Sequence, residues 1–454
     1  MHRIKSVDML HGNLLGLIIK YTIPIIFIGL IQSLFNAVDI MVLGYVADTN
    51  AVASVGATTS IVHLLVNTFF GISTGAKIVL ARLLGSGEGE RVKKTVSTSM
   101  LLALALGVIV AVAGYFLSPI FLTLTDCPQE CFDGALIYMR LYLVASPVIM
   151  LYNFGTAILS VSGDSQRPLY YMLASGGVNV VLNFVLCFIM EEKVAAVAIA
   201  TAVSQMLGAL LVIIRLTRMS GLCRLDLRHL SWSNVAFRKV MSNGIPIGLS
   251  SALYPIANLQ IQAAVNSFGP AVIAGNSAMS SIEGVVSNIA AAPWGATTGV
   301  FVGQNIGADN KKRVRGTIFY CLGISAALGV ILGVLGTVFS HPLVSLYVSD
   351  EAAIEAAQVR MMYTLLPHAI AAINGILAQT VQAFGYSMLS TVNSIFSVLV
   401  FRAIWMQFVY PTQPTFDMLC RCYFVSWLLV LTVNIVFVLY LYNSKFKKGN
   451  IKKM

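Results

Sequence analysis

Asp39 is the residue with the most chemistry to offer. It stands inside the apolar run from Ile23 to Val46, where an ionised carboxylate is expensive. Such a group is suited to take up a proton or to hold Na⁺; the competing reading is a carboxylate satisfied by neighbouring helices. Glu283 is a second acid within an apolar stretch, flanked by Ser280, Ser281 and Ser287, and could bind a cation or a cationic substrate. Arg402, in a third apolar stretch, can pair with Glu283 or with substrate, although fixing helix packing explains it more simply. Asn179 and Asn183 are four residues apart and so share one face of a helix. Tyr254, Asn258 and Gln262 form an i, i+4, i+8 polar stripe with Gln260 off it. A stripe of this kind faces a cavity or bonds to a neighbouring helix. Lys20 and Lys77 lie toward helix ends, where a lysine snorkels to the interface.

These candidates do not assemble into an enzyme. The six histidines (His2, His11, His63, His229, His341 and His368) are scattered, and no phosphate loop, nucleophile triad or metal motif is present. The seven cysteines are odd in number and without metal-ligand spacing; Cys127 and Cys131 share one loop, where free thiols or a pair are both open.

The elements that carry the candidates are set by composition. Of 454 residues, 57% are hydrophobic and 10% charged, whereas soluble domains need about 25% charged residues. Apolar runs predict twelve spans, near 14–45, 52–84, 95–118, 134–161, 168–190, 194–217, 243–267, 272–305, 316–340, 357–383, 388–410 and 418–442. The fold class is therefore an all-α polytopic membrane protein. The first run continues past Pro24 without a small-residue cleavage site and reads as an uncleaved span.

The net charge of +11 is spread over short loops between spans, which fits topology and not nucleic-acid binding. Arg91, Lys93 and Lys94, the segment from Arg215 to Lys239, Lys311 to Arg315 and Lys445 to Lys453 fall on one side. The positive-inside rule makes that side, and both termini, cytoplasmic.

The two halves match without a gap at an offset of 222 residues: Ile23-Pro24-Ile25 with Ile245-Pro246-Ile247, Gly85, Arg91, Val92 and Thr95 with Gly307, Arg313, Val314 and Thr317, and Gly163 with Gly385. Six spans separate equivalent positions, so the repeat is parallel. It predicts an N-lobe at 1–217, a cytoplasmic linker at 218–242 containing Leu225-Asp226-Leu227-Arg228, and a C-lobe at 243–454. Pro24 and Pro246 are expected to bend equivalent helices, and Pro147 and Pro367 match within two residues.

Several motifs then carry a resemblance. They are Val38-Asp39 with Gly44, Gly71 to Gly85, Gly163-Asp164 with Pro168, Asn179 with Asn183, Ala198 to Gln205, and Gly303-Gln304-Asn305 with Gly307-Ala308. In this order the chain resembles the MATE (multidrug and toxic compound extrusion) family over nearly its whole length. The resemblance implies two six-helix lobes around a cavity open alternately to either side, with export of small organic, cationic or amphipathic compounds in exchange for H⁺ or Na⁺. It places an N-lobe cation site on Asp39, Asn153, Asn179, Asn183 and Thr201, with one negative charge where some relatives have two. For the asparagines and Thr201, interhelical hydrogen bonding is an equal alternative. Many relatives carry the C-lobe acid where this chain has Tyr254, so Glu283, Tyr254, Asn258, Gln262 and Arg402 are the C-lobe candidates. No cofactor, no metal beyond Na⁺ at Asp39 and no nucleic acid is expected; the partners are a small-molecule substrate and the bilayer, and the chain is expected to be a monomer in the cell membrane. The rival within the superfamily is a flippase for lipid-linked sugars, which calls for more cationic cavity residues than Lys77 and Arg402.

Overall fold

The computed structural model describes residues 6–46, 49–125 and 127–447, and for 36–46, 49–53, 60, 63, 259 and 447 the backbone alone. Its helices, in order, are α1 (Leu14–Val46), α2 (Thr49–Gly85), α3 (Gly89–Leu124), α4 (Gln129–Val144), α5 (Ser146–Val161), α6 (Gln166–Ile189), α7 (Lys193–Arg218), α8 (Asn234–Asn266) and α9 (Pro270–Ala290). They continue with α10 (Ala292–Gly307), α11 (Lys311–Val338), the short α12 (Ser340–Val344), α13 (Glu351–Thr364), α14 (His368–Ala383), α15 (Ser387–Ser394), α16 (Phe401–Ile404) and α17 (Phe416–Lys447). Among the described residues there is no strand.

Among the described residues nine helical stretches are long and apolar enough to cross a membrane, and the bent pairs α4–α5 and α13–α14 each add a span. Helix α8, 33 residues long, completes twelve. Its polar stripe lowers its hydropathy, yet its length of about 50 Å exceeds a hydrocarbon core. The two bent pairs each turn by 47°, and a proline stands at each break, Pro147 near the start of α5 and Pro367 just before α14. Proline cannot donate its backbone bond and ends or kinks a helix there.

The chain forms two compact units. One comprises Met1–Asp8 with Phe27–Gly248, the other Met9–Ile26 with Leu249–Met454. The divisions after Ile26 and Gly248 are 222 residues apart, the offset of the repeat, and each falls two residues beyond Pro24 or Pro246. Backbone geometry repeats likewise. Gly163 and Gly385 have φ of 85° and 81°, and Gly87 at 72° is matched by Asp309 at 54°, the one non-glycine residue with positive φ among those described.

Within the first unit, α2 meets the first half of α8 almost backbone to backbone. A methyl group on Gly71 would stand 2.4 Å from Gly248 Cα, and one on Gly75 would stand 2.4 Å from Gly244 N. Two small-xxx-small patterns thus face each other, the device by which membrane helices approach closely. The repeat equivalents in the second unit are Thr22 and Thr297, whose hydroxyls lie 2.8 Å apart. Each crossing lies in its unit's more enclosed span: 61% of the Ser54–Gly85 window and 67% of that in Pro270–Gly307 are buried, against 22–39% in the other unbroken spans.

The connection between α7 and α8 belongs wholly to the first unit. Leu225 is buried and its N–H donates to Leu216 O at 2.9 Å, while Asp226 and Arg228 are exposed. Leu227 is 56% exposed as well, so of the two leucines expected on one apolar face only Leu225 is covered, and α8 begins at Asn234, inside the expected linker. Cys223 is buried there, and burial pushes its thiol up to about 12.

Two outcomes follow from this packing. Gly75→Ala should lower the unfolding midpoint of the purified protein in detergent, by a cost of about 1–3 kcal/mol. Gly323→Ala, where an added methyl meets nothing within 4 Å, should be neutral or stabilising; equal effects would contradict the crossing. Cys223, buried and with its thiol pushed up by that burial, should resist maleimide in the native protein and react after unfolding, whereas rapid native labelling would show the connection to be open.

Candidate functional sites

The first unit gathers amides on α6. Asn179 and Asn183 are 6% and 1% exposed, and Asn183 Nδ2 donates to Asn179 Oδ1 at 3.2 Å. Their spacing of one helical turn makes this bond possible. Helix α7 closes over α5 through small residues: Gly208 lies against the Tyr152 ring and Gly155 against Val212. Asn153 Nδ2 donates to Ile149 O at 2.9 Å and Thr201 Oγ1 to Val197 O at 3.0 Å, each within its own helix. Of the sequence-derived set, the structure therefore joins Asn179 to Asn183 and leaves Asn153 and Thr201 bonded locally.

Helix α1 reaches this cluster through Phe35, whose ring would stand 2.0 Å from a methyl on Gly176. Asp39 follows Phe35 by one turn of α1, as Asn179 and Asn183 follow Gly176 by one and two turns of α6. The side chain of Asp39 lies outside the described residues.

The second unit holds a longer polar chain. Arg360 on α13 donates through Nη2 to Glu283 Oε2 at 3.0 Å. Its Nη1 donates to Asn276 O at 2.8 Å, Asn276 Oδ1 at 2.7 Å and Ser280 Oγ at 2.7 Å. Glu283 is thus neutralised by Arg360 and not by Arg402. Asn276 passes the chain on, its Nδ2 donating to Gln262 Oε1 at 3.2 Å, and Gln262 Nε2 donates to Asn266 Oδ1 at 2.9 Å. Arg402 Nη1 donates to Asn258 Oδ1 at 2.8 Å. The guanidinium carbons of Arg360 and Arg402 lie 5.2 and 4.7 Å from the centre of the Tyr423 ring. Tyr254 lines a crevice with Ser250, Leu253, Ser394, Val398 and Leu399.

Sequence reasoning missed Arg360, Asn276, Tyr423 and Ser426. Arg360 follows Glu351 and Glu355 and reads as the charged edge of a span. A lone arginine between Val359 and Met361 was the signal available. Among the described residues no three His, Cys, Asp or Glu side chains gather as a metal site, and Cys127 and Cys131 are free thiols.

The MatE family model matches residues 24–185 and again 246–406, the two halves beginning at the repeat offset. The chain belongs to this family of transporters and is a multi-pass membrane protein. Among its relatives, the probable multidrug resistance protein YoeA of Bacillus subtilis (strain 168) is 26% identical over 385 residues, covering 83% of each chain. The multidrug export protein MepA of Staphylococcus aureus (strain MRSA252) is 22% identical, over 84% of each. The FAD transporter of Shewanella oneidensis is 25% identical over 71% of this chain and 75% of its own. A crystal structure of MATE in complex with MaL6 superposes with a TM-score of 0.88 at 20% identity, covering 98% of this chain and 99% of the other.

The Glu283–Arg360 pair makes a stability test. Arg360→Met, which leaves the carboxylate of Glu283 without its counter-charge, should cost about 3–5 kcal/mol. Adding Glu283→Gln should restore much of the unfolding midpoint in detergent; a double variant no more stable than Arg360→Met would refute the coupling.

Proposed function

We propose that the chain is a secondary antiporter that exports small organic, cationic or amphipathic compounds by alternating access, in exchange for H⁺ or Na⁺ taken up at Asp39. The observation that carries the reading is the buried Asn179–Asn183 pair beside the α1–α6 approach at Phe35 and Gly176. Amide oxygens there can hold Na⁺, and the carboxylate of Asp39 can hold a proton or the same ion. Pro24, which lies inside α1, would give the helix a point of bending through which that occupancy is transmitted. Glu283, Tyr254, Asn258, Gln262 and Arg402 are the substrate-contact candidates of the C-terminal half.

The relatives named for multidrug resistance and export support export of drugs and do not favour the lipid flippase. The proposal places the chain as a monomer in the cell membrane; the basic segments, which fall on one side of an even number of spans, support both termini in the cytoplasm.

Export of rhodamine 6G from proteoliposomes, under separately imposed H⁺ and Na⁺ gradients, tests the reading. Wild type should respond to one of them, and Asp39→Asn should lose at least tenfold of that response while reaching the membrane in equal amount. Gradient-driven export by Asp39→Asn at the wild-type rate would overturn the role of Asp39.

A further inference from the structure

The second unit buries more positive charge than it neutralises. Arg360 and Arg402 are 6% and 3% exposed and share the Tyr423 ring, but the one acid in their hydrogen-bond network, Glu283, is bonded to Arg360. Among the described residues no carboxylate lies within ion-pair distance of Arg402. Its partners are neutral: Asn258 Oδ1 at 2.8 Å from Nη1, and Ser426 Oγ at 3.4 Å from both Nε and Nη2, the latter two at the long limit of a hydrogen bond. The face of the Tyr423 ring offsets only part of what burying an ion costs. An ionisable group left in this condition within a membrane helix marks a ligand pathway.

Two further observations place the same group at a site. Arg402 occupies the single α-helical turn Phe401–Ile404 between π-helical stretches Ile395–Val400 and Trp405–Val409, and π-helical turns concentrate at functional sites. Asn258, which holds the guanidinium, is itself exposed. The crevice at Tyr254 and Val398 lies one turn back along both helices.

We infer that Arg402 is an anion-recognising group: the carboxylate, sulfonate or phosphate of an amphipathic solute displaces Asn258 Oδ1 and accepts the guanidinium's N–H bonds. This rests on the export reading and narrows it, since the compounds handled then include some carrying a negative group. Arg360 does not serve in the same way, because Glu283, Asn276 and Ser280 already occupy its donors.

Two xanthene dyes of opposite charge, carboxyfluorescein and rhodamine 6G, test the inference by fluorescence polarisation with the full chain in neutral detergent. The decisive variant is Asn258→Asp, which keeps the side-chain size and gives Arg402 a permanent counter-ion. It should keep or raise the unfolding midpoint, yet lower the ratio of carboxyfluorescein to rhodamine 6G affinity at least tenfold. Arg402→Gln should lower the same ratio. An unchanged ratio in Asn258→Asp, or no carboxyfluorescein binding to wild type, overturns the proposal. In nanodiscs, displacement of the anionic dye by phosphatidylglycerol assigns the site to a lipid headgroup, and absence of displacement assigns it to a solute; both keep the anion site. Dye binding without gradient-driven export would sink the antiporter reading alone, and export without anion binding would sink this one alone.

Discussion

In hydrocarbon, helices gain nothing from hiding apolar surface from one another, so they are held by how closely their backbones can pack. That constraint is met at several crossings in each unit, of which one in each holds the first part of a long helix. Gly71 and Gly75 lie against Gly248 and Gly244 in the first; Thr22 and Thr297 bond through their hydroxyls in the second. Each crossing anchors the first part of a long helix, α8 or α1, and the unit assignment changes after Gly248 or Ile26. The second part is then free to carry chemistry. Phe27–Val46 brings Asp39 with the first unit, and Leu249–Asn266 brings Tyr254, Asn258 and Gln262 with the second. The prolines stand where packing half gives way to chemical half, as a helix that must serve two neighbours requires.

Much of this was legible in the sequence because its causes are local or periodic. Apolar runs locate the spans, the polar-striped α8 included, and the offset of 222 residues that pairs Gly163 with Gly385 recurs in the backbone as a positive φ at both. The breaks near Pro147 and Pro367 are findings of the structure, since the sequence marks Pro24 and Pro246 as the bends and gives 134–161 and 357–383 as single spans. What the sequence could not show were partners chosen in three dimensions. Arg402 is one partner the sequence offers Glu283, beside substrate and helix packing. Arg360, from a span whose start is rich in acids, takes the carboxylate instead. Nor does a single sequence reveal that Asn153 and Thr201 spend their hydrogen bonds on their own helices, or that two π-helical stretches flank Arg402, since residue types do not encode a change of helical pitch.

The repeat also shows how one architecture can come to hold two kinds of chemistry. Carried across the offset of 222, Asp39 corresponds to Ile261, Asn179 to Phe401, Asn183 to Trp405 and Thr201 to Tyr423. The first copy has an acid and a hydrogen-bonded amide pair, donors suited to a small cation. The second has a buried isoleucine and aromatic rings, with Phe401 and Trp405 centred 5.8 Å apart and Arg402 beside them on the same turn. Rings and a guanidinium suit an organic solute with a flat body and a charged end, and suit an inorganic cation poorly. On the proposed reading, ion and solute are therefore assigned to different copies. On the same reading a guanidinium would disfavour a small cation in the second copy, so the two copies would differ in what they select although both share one helical frame.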